Sequence, residues 1–276
     1  MLIKSVDEID LFLREDIGDG DITSSALLSD ERGIGHILLK ERAVIAGLQE
    51  ADGVFERLGC ETMPLVDEGC RLEKGTSVLE VSGELRALLA GERLALNFLA
   101  RMSGIATMTM DMVEKCRTVN PRVIIAGTRK TTPGFRKWEK RAIVVGGGDP
   151  HRMGLWDAIL IKDNHLAVLG IEEAMNRAKR LNKPIEIEVT NMRDAKKAAR
   201  MGADVIMLDN VQPVEGERIA GEIRKIDPDV VIEVSGGITP ENVERYASYA
   251  DRISCGCLTH SVRAIDLSMD IDQLIR

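Results

Sequence analysis

The chain has 276 residues, of which 44% are hydrophobic, 30% charged and only 3% aromatic, and its formal net charge is −8. A chain of this length and balance builds its own core without staples, and no apolar run approaches the roughly 20 residues of a membrane-spanning helix. The negative average field and the scarcity of stacking rings argue against a general nucleic-acid or membrane-surface binder.

The first residues, MLIKSVDEIDLFLREDIGDGD, mix acids with hydrophobes and carry no signal or transit pattern. Within them Val6–Leu13 predicts a short amphipathic helix. From Gly33 to about Gly83 the texture changes to short β-like runs (HILLK, AVIAG, TSVLEVSG), with a helix expected near Leu48–Leu58. Leu85 to about Cys116 is helical in composition, and Leu94, Leu96, Phe98, Leu99 and Met102 supply a broad apolar face. Gly91 and Gly104 are expected to divide or bend it, and Gly104 marks the expected end of an N-terminal domain, residues 1–104.

After Pro121 short apolar runs alternate with helical segments: VIIAG (123–127), AILIK (158–162), IEIEV (185–189), VIMLD (205–209), VIEVS (231–235) and RISCG (252–256). Such runs suit strands buried on both faces, hence a parallel sheet with helical crossovers. Met192–Met201 predicts a helix stopped by Gly202, and Thr239-Pro240-Glu241 the start of another. At least six units in this order predict an incomplete α/β barrel of six or seven strands over 105–264; an open doubly wound sheet is the alternative. The five cysteines are odd in number and irregularly spaced, a poor disulfide framework that fits free thiols in a reducing cytoplasm.

Polar or glycine residues stand at the C-terminal end of every run: Thr128-Arg129-Lys130, Lys162-Asp163-Asn164-His165, Glu188, Asp209-Asn210, Ser235-Gly236-Gly237, and Gly256 followed by Thr259-His260-Ser261. In an α/β barrel that end is the active-site face. Ala126–His165 also concentrates Arg129, Lys130, Arg136, Lys137, Lys140, Arg141, Arg152 and Lys162 within an acidic chain, a pattern for binding a small polyanion. Gly236, Gly237 and Gly256 let backbone N–H groups approach a phosphate, although most such glycines simply make tight turns. Glu188 and Asp209 are candidates for a divalent cation or ribose hydroxyls, or else balance the nearby cations. Lys162, inside an apolar run, is open to a Schiff-base role. His151, His165 and His260 are candidate acid–base groups, though a lone histidine is more often structural.

These residues lie in strings that resemble the quinolinate phosphoribosyltransferase family: EDIGDGDIT, GERLALNFLARMSGIAT (91–107), GTRKTTPGFRKWEKRAIVVGGGDPHRMGLWDAILIKDNH (127–165), IEIEVTN, IMLDN, EVSGGI and ISCGCLTHS. The resemblance spans nearly the whole chain, and TRKTTPG with LIKDNH is its most specific part. It implies an N-terminal open α/β sandwich domain, which the segment 265–276 would join, and a homodimer in which one subunit's N-terminal domain covers the other's barrel. It implies transfer of phosphoribose from phosphoribosyl pyrophosphate to quinolinate, with release of pyrophosphate and CO2, to give nicotinate mononucleotide for NAD biosynthesis. Mg²⁺ is the implied cofactor, held by Glu188 and Asp209, through water or directly. Quinolinate contacts are implied at Arg129, Lys130, His151, Arg152 and Lys162, with Thr128 also among the implied substrate-binding residues; the arginine reaching in from a second subunit is matched best by Arg93, with Arg101 as the alternative. Phosphoribosyl contacts are implied at Glu188, Asp209, Ser235, Gly236, Gly237, Gly256, Cys257 and Leu258. Lys130, Lys162, Glu188 and Asp209 carry the implied catalytic roles.

Departures from the family pattern are Asp149-Pro150, where a polar residue such as Asn is expected before His151, and the cysteines flanking Gly256. The rival expectations are a paralogous phosphoribosyltransferase with another acceptor, a Schiff-base aldolase using Lys162, and an RNA-binding module using the 129–152 basic run.

Overall fold

The computed structural model describes residues 8–275. Val6 and Asp7 of the expected first helix lie outside the described residues; the helix is present from Glu8 to Ile17 (α1). Contacts divide the chain into two units, Met1–Thr107 with Arg263–Arg276, and Met108–Val262.

The first unit continues with α2 (Ile22–Leu27), β1 (Arg32–Leu39), β2 (Ala43–Val44), α3 (Leu48–Arg57), β3 (Glu61–Pro64), β4 (Arg71–Leu72) and β5 (Ser77–Glu84). Asp21 caps α2 by accepting from the backbone N–H groups of Thr23 and Ser24, each at 3.0 Å. β1 alternates buried and partly exposed residues, with Ile37 and Leu39 fully buried, because one face of its sheet closes on the core. The chain's last strand lies beside β1, giving an antiparallel sheet in which β1 and β5 are central and β3 is the other edge.

α4 (Leu85–Arg117) is one unbroken helix of 33 residues. The expected interruptions at Gly91 and Gly104 do not occur. A glycine costs a helix interior about 1 kcal/mol relative to alanine, too little to stop a helix whose apolar stripe is buried. Leu88, Phe98, Leu99, Met102 and Ile105 supply that stripe. At Gly91 the missing Cβ is the point: it would lie 2.9 Å from the side chains of Phe55 and Leu58.

The second unit runs through β6 (Ile124–Ala126), α5 (Arg136–Val145), β7 (Ile159–Ile161), α6 (Asp163–Lys179), β8 (Ile185–Val189), α7 (Met192–Arg200), β9 (Val205–Asp209), α8 (Pro213–Arg224), β10 (Val231–Ser235), α9 (Glu244–Ala247), β11 (Arg252–Ser254) and α10 (Cys257–His260); β12 (Leu267–Ile275) belongs to the first unit. Its six strands are all parallel, in the order β6-β11-β10-β9-β8-β7. A parallel bridge from Ala126 to Asp149 adds a seventh position beside β6. Among the described residues β7 pairs only with β8, so the sheet is an incomplete α/β barrel, open between Asp149 and β7. α7 ends as its sequence predicts, with Gly202 at φ 68°. Thr239–Val243 forms turns, with the Val243 N–H bonded to the Thr239 carbonyl and Asn242 Oδ1 accepting from the Thr239 N–H, and the helix itself begins five residues after the expected cap, at Glu244.

Strand parity sorts the side chains. Ile187, Ile206, Leu208, Ile232, Val234 and Ile253 are fully buried. The opposite parity carries Leu160 and Lys162, Glu186 and Glu188, Met207 and Asp209, Glu233 and Ser235, and Ser254 toward the barrel interior. The strands are therefore less uniformly apolar than their runs suggest: two interior positions are the buried acids Glu186 and Glu233. Among the described residues no helix is long and apolar enough to cross a membrane, and all five cysteines are free.

Candidate active site at the barrel mouth

The inward parity delivers Lys162, Glu188, Asp209 and Ser235 to the C-terminal ends of consecutive strands. There they line a cavity of about 500 Å³ with Thr128, Arg129, Lys130, His151, Arg152, Gly236 and Gly237. An adjoining cavity of about 400 Å³ is lined by Lys130, Ser235, Gly236, Gly237, Gly256, Cys257 and His260, among others. The structure thus gathers at one mouth segments as far apart in sequence as Gly127 and Ser254.

Seven of the eight cations of the 126–165 segment divide by role. Arg129, Lys130, Arg152 and Lys162 line the mouth. Arg136 and Lys140, on α5, brace its loops instead. Arg136 donates from Nε to Thr131 Oγ1 (2.9 Å) and from Nη1 to the Met153 carbonyl (3.1 Å). Lys140, almost wholly buried, donates from Nζ to the carbonyls of Pro150 and, at 3.4 Å, His151. Burial, aided by repulsion from Arg136, brings the Lys140 pKa down to about 8. Buried Glu139, on the same helix, accepts from Thr132 N (3.0 Å) and Thr132 Oγ1 (2.8 Å), tying down the turn after Lys130. Lys137 lies over the Trp138 ring, 4.3 Å from its centroid, away from the cavity lining.

Across the mouth, Lys162 Nζ donates to Glu188 Oε1 at 2.6 Å. Asp209 Oδ2 accepts from Asn210 Nδ2 at 2.9 Å. Gly236 has φ 94°, and a Cβ there would collide with Asn210 Oδ1 and come within 2.7 Å of Asn210 N. Only glycine can make this approach, which leaves the turn after β10 with bare backbone. Burial, with repulsion from Arg129 next, lowers the Arg152 pKa; two guanidiniums sharing a recess form a site that an anion relieves. His165 Nδ1 accepts from the Lys162 N–H (3.0 Å) and so belongs to the α6 cap. His260 Nδ1 lies 2.6 Å from Ser261 Oγ.

His151 stands at the floor, with φ 54°. Its Nδ1 accepts from the Arg152 N–H (2.7 Å), and its Nε2 lies 3.3 Å from Glu233 Oε1 and 3.5 Å from Glu186 Oε2. Burial pulls the His151 pKa down, but Glu186 and Glu233 outweigh it and push it up to about 9. Burial raises Glu186; Glu233 is held below the usual carboxylate range, because His151, Ser254 and Arg252 overcome the cost of its burial. His151, Glu186 and Glu233 each offer an atom within 4.8 Å of the others. A cation is nevertheless poorly matched there, since Glu233 already accepts from Ser254 Oγ (2.5 Å) and Arg252 Nη1 (3.2 Å). Asp149, the departure noted in the sequence, accepts from the His151 N–H at 2.5 Å and so holds this turn.

Arg93, expected from a second subunit, belongs to the first unit and has a largely exposed side chain. Leu258 is fully buried and lines neither cavity. Ser254, Glu186 and Glu233 went unnoticed in the sequence analysis. Strand parity was the available signal for the acids, since each stands two residues before a mouth residue, Glu188 or Ser235.

An incomplete parallel barrel with a cationic wall facing carboxylates and a bare glycine turn is the form of an α/β-barrel enzyme acting on anionic, phosphorylated substrates. Comparison with known proteins makes this specific. Residues 21–103 match the family model for the quinolinate phosphoribosyl transferase N-terminal domain, and residues 105–270 that for the C-terminal domain. A Methanocaldococcus jannaschii protein named probable nicotinate-nucleotide pyrophosphorylase [carboxylating] is 43% identical over 268 residues, covering 94% of each chain. The human nicotinate-nucleotide pyrophosphorylase [carboxylating] is 38% identical, over 95% of this chain and 90% of its own. The crystal structure of nicotinate-nucleotide pyrophosphorylase from Ehrlichia chaffeensis superposes with a TM-score of 0.91 at 33% identity, over 99% of this chain and 100% of that one. The chain belongs to the quinolinate phosphoribosyl transferase family.

Proposed function

We propose that this enzyme transfers phosphoribose from phosphoribosyl pyrophosphate to the ring nitrogen of quinolinate, yielding nicotinate mononucleotide, pyrophosphate and CO2 for NAD biosynthesis. The observation that carries the reading is the pairing of a four-cation wall with Glu188, Asp209 and the Gly236 turn in one cavity. Quinolinate is a dianion, and Arg129, Lys130, Arg152 and Lys162, with Thr128 and His151 beside them, suit its two carboxylates. Ser235, Gly236, Gly237 and Gly256, continuing into Cys257, suit the phosphate end of the sugar.

The residue types match the charge changes of the reaction. Departure of pyrophosphate leaves positive charge at the anomeric carbon, which Glu188 and Asp209 are suited to stabilise. The pyridine nitrogen then bonds that carbon and becomes cationic. The electrons of the adjacent carbon–carboxylate bond flow toward it, CO2 leaves, and a proton takes its place on that carbon. Lys162 and Lys130 keep the acceptor in register through both steps. Glu188 and Asp209 present hard oxygen donors on neighbouring strands, a set that fits Mg²⁺ sharing its remaining positions with phosphate oxygens and water. Bound there, Mg²⁺ would neutralise charge on the departing pyrophosphate.

We further propose a cytoplasmic homodimer in which Arg93 of a second copy completes the acceptor site. Leu155 and Trp156, 75% and 76% exposed beside the open edge of the barrel, support a covered face. The Schiff-base reading of Lys162 is not favoured, because its Nζ is committed to Glu188 and the family relation points elsewhere. Incubation with quinolinate, phosphoribosyl pyrophosphate and Mg²⁺ tests the assignment: nicotinate mononucleotide is the expected product, and its absence while another acceptor is ribosylated would favour the paralogous reading.

A further inference from the structure

The interior acids have no place in the chemistry above. Glu233 is fully buried and Glu186 almost so, inside a barrel whose interior is ordinarily filled by branched apolar side chains. Two carboxylates taken out of water are costly unless each is answered by positive charge and hydrogen bonds. Here the answering charge is the His151 ring, whose Nε2 lies within ion-pair distance of both acids although neither contact is aligned as a hydrogen bond, and Glu186 Oε1 has no hydrogen-bond partner among the described residues. Glu233 is itself held by Ser254 Oγ, which donates to the same Oε1 at 2.5 Å, and by Arg252 Nη1, which donates to Oε2 at 3.2 Å.

The other edge of the ring leads to the mouth. Nδ1 receives the Arg152 backbone N–H at 2.7 Å, an unusual bond between a side chain and the next residue, and His151 takes a left-handed φ of 54°. Such a φ is uncommon for a non-glycine residue and persists where its surroundings determine it. The turn is held on every side: Asp149 Oδ1 accepts the His151 N–H, and Lys140 Nζ reaches the Pro150 and His151 carbonyls. Arg152 leaves this turn with its Nη1 on the Ala158 carbonyl at 3.2 Å and its side chain on the cavity wall. A chain of contacts therefore runs from the barrel floor to a cation of the mouth.

We propose that Glu186 and Glu233 are positioning residues for acceptor binding: they hold the His151 ring so that its Nδ1 fixes the Arg152 backbone, which presents the guanidinium to the acceptor in one orientation. The inference rests on the reading of the mouth as a quinolinate site, and it gives the interior acids a part in acceptor specificity. A fixed guanidinium matches a planar carboxylate in two parallel bonds, whereas a wandering one loses that match. Glu188, two residues along the same strand, acts on the sugar side, so adjacent inward positions of β8 serve the two substrates separately.

Glu186→Gln and Glu233→Gln, made in the full chain, test this by steady-state kinetics with quinolinate and phosphoribosyl pyrophosphate varied in turn. The expected result is a KM for quinolinate raised about tenfold, with kcat changed less than about threefold and the KM for phosphoribosyl pyrophosphate within about twofold of the parent. An unchanged quinolinate KM, or equal rises in both KM values, would overturn the proposal. If the variants do not fold, the parent's own ¹⁵N ring spectrum decides. A proton on His151 Nε2 near neutral pH supports the arrangement, and a bare Nε2 overturns it. That spectrum needs no turnover, so it stands apart from any failure of the quinolinate assignment.

Discussion

Lys162 and Glu188 face each other across the neighbouring strands β7 and β8, with Nζ 2.6 Å from Oε1, and the strand register dictates the meeting. Leu160 pairs with Glu186, so two residues further on, at the same inward parity, Lys162 stands opposite Glu188. Without substrate the pair neutralises itself. In the proposed cycle Lys162 turns to the acceptor's carboxylate and Glu188 is released toward the sugar and Mg²⁺. Lys162→Met should lower kcat/KM for quinolinate by about 100-fold or more. Glu188→Gln should act mainly on kcat and on the KM for phosphoribosyl pyrophosphate. Equal effects of both variants on both substrates would show that the division of roles is wrong.

Arg152 is assigned as a planar, bidentate partner of a carboxylate. Arg152→Ala should lose most activity while the protein stays folded, and Arg152→Lys should recover little of it, since an ammonium cannot reproduce the fork. Circular dichroism together with turnover checks this. Near-parental activity in the lysine variant would refute the bidentate role.

Glu139 acts from beneath the mouth, holding Thr132 N and Thr132 Oγ1 at 3.0 and 2.8 Å. Glu139→Ala removes two hydrogen bonds to a carboxylate, but exposed Thr132 can offer its donors to water instead, so the cost should be about 1 kcal/mol of stability. Denaturant unfolding gives the stability, and the quinolinate KM should rise as the turn after Lys130 loosens. A variant as stable as the parent would mean that the turn is held by other groups.

His151 makes stability depend on pH with a definite sign. Burial disfavours its charged form, but Glu186 and Glu233 prevail and raise its folded pKa from 6.5 to about 9. The contribution is therefore complete below the unfolded value and fades as pH rises through about 9. The Tm difference between the parent and His151→Gln should be largest in mildly acidic buffer and shrink toward alkaline pH. The subtraction is meant to remove the contribution of Lys140, whose pKa burial brings down to about 8. A difference that grows with pH would contradict the charge arrangement.

Much of this was legible in the chain. Three runs, IEIEV, VIMLD and VIEVS, became strands with the same bounds, because buried parallel strands flanked by helices leave little ambiguity in texture. The convergence of Arg129, Lys130, Arg152, Lys162, Glu188, Asp209 and Ser235 followed from their places at strand ends. Other features depend on partners distant in sequence. Nothing local separates Lys140, which braces a loop, from Lys130, which lines the cavity; the difference lies in the folded turn at Pro150, which only Lys140 meets. Gly91 looked like a helix breaker because its neighbours Phe55 and Leu58 are remote in the chain. Glu186 and Glu233 were hidden inside strands taken as uniformly apolar, and only the inward parity of the finished barrel gives them a common address.

Quinolinate labelled with ¹⁴C in the carboxylate next to the ring nitrogen gives the most direct measurement of two adjoining substrate sockets joined by one reaction. With phosphoribosyl pyrophosphate and Mg²⁺, labelled CO2 should appear in equal amount to pyrophosphate and nicotinate mononucleotide, and nicotinate in place of quinolinate should give little product. Label retained in the nucleotide, or CO2 released without phosphoribosyl pyrophosphate, would contradict the account.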